Sequence, residues 1–162
     1  MGLVSIGRAL ASGDPERARP ALVEAVTQAE ESRSGLLGDQ AKRVLSELDA
    51  ARGGHRAGLA ELGQLLLSFG RSGDLSQQLQ TVVSTLDPLM AVGAFDVATQ
   101  LCGGLGQTAL GSVVQCERAL EAARTRLSNE AYRTAFGQGA HLSPTELMRV
   151  AAAEIERLTD QV

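Results

Sequence analysis

The stretch Gly13-Asp14-Pro15-Glu16-Arg17-Ala18 returns in outline as Gly53-Gly54-His55-Arg56-Ala57-Gly58, and again as Gly93-Ala94-Phe95-Asp96-Val97-Ala98. The leading glycines, Gly13, Gly53 and Gly93, stand 40 residues apart. Five places beyond each stands a small residue: Ala18, Gly58, Ala98. An apolar stripe of helical period precedes each glycine and another follows it. A glycine can end the first helix, and the small residue lets a second, antiparallel helix approach closely. Three hairpins of equal length, each unable to bury its apolar face alone, stack side by side as an α-solenoid. The middle copy, Gly53–Gly58, is the weakest match.

Outward from these turns the helices follow in order. Leu3, Val4, Ile6 and Leu10 make a short stripe that Gly13 ends. Asp14 as N-cap and Pro15 in the first turn open a second helix with Ala18, Leu22, Ala25, Val26 and Ala29 inward. A third spans about Leu36 to Arg52, a fourth about His55 to Phe69. Asp74 caps a fifth, with Gln77 at the capping-box position. Pro88 falls inside that fifth stripe, which predicts a kink near Asp87. A sixth starts near Phe95. Residues 1–106 thus read as the three hairpins and 107–162 as C-terminal capping helices. In the latter, Ser112 with Gln115 is expected to cap a helix ending near Leu127. Asn129–Phe136 reads as a short helix broken by Gly137 and Gly139. Ser143-Pro144-Thr145-Glu146 is a full capping box opening the last helix.

Composition bounds the rest. Hydrophobic residues make up 44% of the 162, so a folded core is expected. Aromatics are 2% with no Trp, so that core is Leu, Val and Ala, which favours close-packed helices. A net charge of −4 does not suit a general nucleic-acid binder. The start MGLVSI lacks a signal-peptide pattern, and the longest apolar run, Leu62–Phe69, is far short of the ~20 residues a membrane span needs. A cytoplasmic protein with no membrane partner is expected.

Chemistry is sparse. Gly103-Gly104-Leu105-Gly106-Gln107-Thr108 resembles the core of a phosphate-binding loop. It has Gln107 where the lysine belongs, Leu101 where the first glycine belongs, and a helix where a strand should precede. It reads instead as a glycine-loosened helix end. His55 and His141 are far apart in sequence, and Cys102 and Cys116 form no C-x-x-C pair, so no metal site is expected. No catalytic pair, cofactor site or enzymatic activity is expected either. The remaining candidate surface is a groove lined by the first helix of each hairpin: Gln40, Arg43 and Glu47, with Gln80, Val83 and Asp87 as their counterparts.

Two resemblances sharpen this. Gly13–Ala18 and Gly93–Ala98 resemble the tetratricopeptide (TPR) turn and second-helix start, on a period longer than the usual 34 residues. Arg126-Leu127, Tyr132, Ala135-Phe136, Gly139, Leu142-Ser143 and Glu146 resemble the ending of large bacterial LuxR-type and antibiotic-regulator-type ATPase regulators of the STAND class. Ala98–Gly103 is similar to a step in the last repeat of that family. Ser128 replaces its commoner glycine, and the link from Gly104 to Val113 is shorter than usual. The resemblance agrees with an all-α, TPR-like fold of about three hairpins and a C-terminal cap; from their place at the end of the stack, Tyr132 and Phe136 are expected to plug its open end. No P-loop, acidic Walker strand or helix-turn-helix accompanies it, so the ATPase and DNA-binding activities do not carry over. The implied function is a non-enzymatic interaction or sensor module detached from those domains. Its partner would be a protein or peptide, or the regulator domains themselves. The alternatives are a small-molecule effector sensor and a truncated-gene remnant.

Overall fold

The computed structural model describes residues 13–160 together with Gly7. The predicted stripe Leu3–Leu10 therefore lies outside the described residues, Gly7 apart. Among the described residues there are eight helices and no strand. They are α1 (Pro15–Glu31), α2 (Gly35–Ala51), α3 (His55–Ser72), α4 (Leu75–Ala91), α5 (Phe95–Leu105), α6 (Val114–Arg126), α7 (Asn129–Ala140) and α8 (Pro144–Thr159). The protein is all-α. None of these helices is long and apolar enough to cross a membrane.

The repeat unit is a single helix. Arg33, Gly53, Gly73 and Gly93 all have positive φ, twenty residues apart each time. The helices before these turns, α1 to α4, are 17, 17, 18 and 17 residues long. Every turn closes with the same long backbone bond: Ser34 N–H to Ala29 C=O at 2.8 Å, Gly54 to Asp49 at 3.1 Å, Asp74 to Phe69 at 3.1 Å, and Ala94 to Leu89 at 2.9 Å. This is the six-to-one bond that satisfies a helix's last carbonyls and reverses the chain. The 40-residue period is two of these units. Arg33 hides the shorter period, because it holds in the left-handed region a place that glycine holds in the other three.

The caps at Asp14, Asp74 and Ser143 form as expected: their side chains accept from the N–H of Arg17, Gln77 and Glu146. Ser112 does not cap. The next helix starts at Val114 after an extended Val113, with no side-chain cap. The chain stays helical through Pro88, and α4 runs on to Ala91. Pro88 sits in the last turn, so few hydrogen bonds depend on it.

Helix α5 ends at Leu105 with Gly106 as its C-cap, as the glycine run predicts, whereas Gly137 and Gly139 do not break α7. Gly103 and Gly104 lie buried inside α5, and Gly137 and Gly139 lie inside α7. A Cβ on Gly103 would overlap the Phe136 carbonyl oxygen, and one on Gly139 would overlap that of Gln100. The backbones of α5 and α7 therefore touch where they cross, which only glycine permits.

Helices α2 and α4 pack on each other, as do α4 and α6, while α1, α3 and α5 pack on that row. The largest core is built from α3, α4, α5, α6 and α8, around Leu59, Val82, Leu86, Leu101, Leu105 and Leu147. A smaller one, Ala18, Leu22, Ala25, Ala41, Val44 and Leu48, joins α1 to α2. The chain then turns back on itself. Instead of extending the row, α8 lies against α3, α4 and α5, in the groove they form. Its Ile155 sits over Gly63, where a Cβ would come within 3.0 Å of Cγ2. Its Leu147 sits over Gly104, where a Cβ would come within 2.6 Å of Cδ1. Burial of such side chains contributes about 1.5–3 kcal/mol each. Tyr132 and Phe136 are half-buried and stack on each other at 6.2 Å, with Arg124 over the Tyr132 ring.

Candidate functional site

The face formed by α2, α4 and α6 carries a network of polar side chains centred on Arg43. Helical spacing puts Arg43 and Glu47 on one side of α2 and Gln80, Ser84 and Asp87 on the facing side of α4. Arg43 is only 5% exposed. Its guanidinium donates to Glu47 Oε1 at 3.1 Å, Ser84 Oγ at 3.3 Å and Gln80 Oε1 at 3.2 Å. The Ser84 hydroxyl donates in turn to Glu47. A buried charge is tolerable only when bonded in this way. The planar fork of arginine reaches three acceptors on two helices, which an ammonium could not do with the same geometry.

Next to this network lies a cleft of about 140 Å³, walled by Glu47, Ala51, His55, Val83, Asp87 and Gln115. It joins α2, α3, α4 and α6. Asp87 Oδ2 accepts from Arg118 on α6 at 3.4 Å. The other oxygen, Oδ1, is shielded from solvent and accepts no hydrogen bond.

Of the six residues expected to line a groove, Arg43, Glu47 and Gln80 come together in the network, while Glu47, Val83 and Asp87 border the cleft. Gln40 is half-buried one turn before Arg43 on α2. Sequence reasoning missed Ser84, His55 and Gln115. Ser84 stands one helical turn beyond Gln80, a spacing that was legible. In the sequence His55 only marks a helix start, and Gln115 only part of a cap. Only the placement of α6 beside α4 brings Gln115 to the cleft.

Other groups are quieter. Cys102 and Cys116 are free and buried where α5 meets α6. The Cys102 thiol lies 3.9 Å from the Cys116 carbonyl and the Cys116 thiol 3.7 Å from that of Leu110. The adjacent Cys116 sulfur, then burial, push the Cys102 thiol up, and the same contact pulls Cys116 down. Among the described residues no group of three or more His, Cys, Asp or Glu could hold a metal ion. The Ser143 hydroxyl and backbone N–H hold the Glu146 carboxyl below its ordinary range. The Asp49 carboxylate raises Arg19.

Comparison with protein-family models, curated proteins and solved structures finds no match to this chain.

Proposed function

We propose that this protein is a non-enzymatic, TPR-like helical-repeat module that binds a protein segment along the face of α2, α4 and α6, as part of a bacterial regulator of the LuxR-type or STAND class. The observation that carries the reading is the twenty-residue helix unit, whose four turns share one closing bond. Such repeats present long faces built from alternate helices, and those faces commonly serve for binding. Here the face is polar and held rigid by Arg43, so little order would be lost on binding.

The effector-sensor reading has less support. The cleft beside Arg43, about 140 Å³, is smaller than the roughly 300–1,000 Å³ typical of small-molecule sites, and the groove of about 440 Å³ between α1, α2 and α3 is open rather than enclosed.

Photo-crosslinking in the native host tests the proposal. A crosslinking residue at Gln40, Val83 or Gln115 should yield one discrete protein adduct, and the same residue at Glu121 or Arg157 should not. An adduct bearing a nucleotide-binding switch domain would support the regulator assignment. Absence of any adduct specific to the α2–α4–α6 face would overturn the binding reading.

A further inference from the structure

The groove that α8 fills has a second copy, and that copy is open. The repeat makes α1, α2 and α3 the equivalents of α3, α4 and α5, shifted by 40 residues. In the filled groove, α8 rests on Gly63 of α3 and Gly104 of α5. Subtracting 40 gives Val23 on α1 and Gln64 on α3. Both line an open groove of about 440 Å³ between α1, α2 and α3. Val26, Leu45 and Leu65 line it too, corresponding to Leu66, Thr85 and Leu105 around α8.

From this we infer that the α1–α2–α3 groove is a docking site for an amphipathic helix of a partner protein, laid along it as α8 lies along α3, α4 and α5. The chain itself shows that this shape between three of its helices accepts a fourth. Differences between the two grooves specify the occupant. Leu147 and Ile155 of α8 enter where glycine leaves room, whereas the open groove has Gln64 and Val23 at those places. A second copy's α8 would therefore meet side chains where it needs space. The partner helix carries small residues there and larger apolar ones over Val26, Leu45 and Leu65. The rim also differs. Lys42, which pairs with Glu30 at 3.2 Å, and Glu61, which accepts from Ser46 at 3.1 Å, line the open groove where the filled one has Val82 and Leu101. Both rim groups remain partly open to solvent, so a partner helix that flanks its apolar stripe with an acid toward Lys42 and a base toward Glu61 joins these contacts rather than replacing them. Val23 is 44% exposed and Glu61 is exposed, so the empty groove is tolerated in water and docking is reversible.

The inference rests on reading the protein as an interaction module, but it concerns a different face from the α2–α4–α6 surface. The test uses the full chain and two hydrocarbon-stapled peptides of the sequence Ser143–Asp160, one native and one carrying Leu147→Ala and Ile155→Ala. The trimmed peptide should bind saturably by fluorescence anisotropy, more tightly than the native one. Val23→Arg should weaken it about tenfold or more, with an unchanged thermal melt. Gln64→Trp, which fills the groove from an exposed position, should do the same and serves if Val23→Arg unfolds. Three results overturn the inference: no saturable binding of the trimmed peptide, binding indifferent to both variants, or a native peptide that binds as tightly. Concentration-dependent dimerisation abolished by Val23→Arg would overturn it as well, by making a second copy the occupant. If the peptide fails while crosslinks from Gln40 and Val83 persist, only the groove is lost. If the peptide binds and those crosslinks are absent, only the other face is.

Discussion

Two residues report most directly on how the chain is held. Arg33 is the only non-glycine among the described residues with positive φ, at 54°. The left-handed region costs an L-residue about 1–2 kcal/mol, partly offset by the greater chain entropy that glycine loses on folding. Arg33→Gly should therefore stabilise the protein by up to about 1 kcal/mol, read as a rise in denaturation midpoint. Gly53→Ala, at φ 100° with nothing near its would-be Cβ, should destabilise by about 1–2 kcal/mol from backbone strain alone. Arg43 joins α2 to α4 through Gln80 and Ser84. Arg43→Ala should cost about 2–3 kcal/mol, measured by urea unfolding, because it strands hydrogen-bond partners in a half-buried seam. Arg43→Lys should recover only part of that loss.

At the scale of elements, the α5–α7 crossing makes the sharpest contrast. Gly137 and Gly139 lie on the same helix, two residues apart. A Cβ on Gly137 meets nothing, so Gly137→Ala should stabilise by about 0.5–1 kcal/mol through helix propensity. Gly139→Ala forces the backbones apart and should cost about 3 kcal/mol, and the two thermal melts should shift in opposite directions. The start of α8 depends on pH. Glu146 is held below its unfolded value by Ser143. Its contribution is thus fully present above about pH 4.3, the unfolded value, and is lost as pH falls through the lower folded one. Glu146→Gln should flatten the stability profile in that acid window and, near neutrality, lower stability by about what the wild type loses on acidification through it. These elements also mark what was legible in the sequence. The helices α1 to α5 and the caps at Asp14, Asp74 and Ser143 were visible because they rest on local pattern and side-chain chemistry. Gly137 and Gly139 of α7 were misread because a helix breaker and a close crossing look alike until the partner backbone is placed. The polar face was half legible. Arg43, Glu47 and Gln80 follow from periodicity within a helix, whereas His55 and Gln115 arrive through packing between helices.

Across the whole molecule, stability is uneven. Among the described residues, the core of α3, α4, α5, α6 and α8 holds more buried side chains than the patch of Ala18, Leu22, Ala25, Ala41, Val44 and Leu48 that joins α1 to α2. Native-state hydrogen exchange should find amides of α1 opening at lower denaturant than those of α4 and α5. Uniform protection from α1 to α8 would show the two cores to be one cooperative unit. The return of α8 to α3 also sets an order in time. Gly63 is covered by Ile155, made roughly ninety residues later, so at about 5–20 residues per second the ribosome leaves that face bare for about 5–20 seconds. During each round of synthesis the nascent helices α3 to α5 carry a greasy slot that their own chain has yet to supply. A chaperone that shields newly made protein would find its handhold there, and would lose it when α8 arrives.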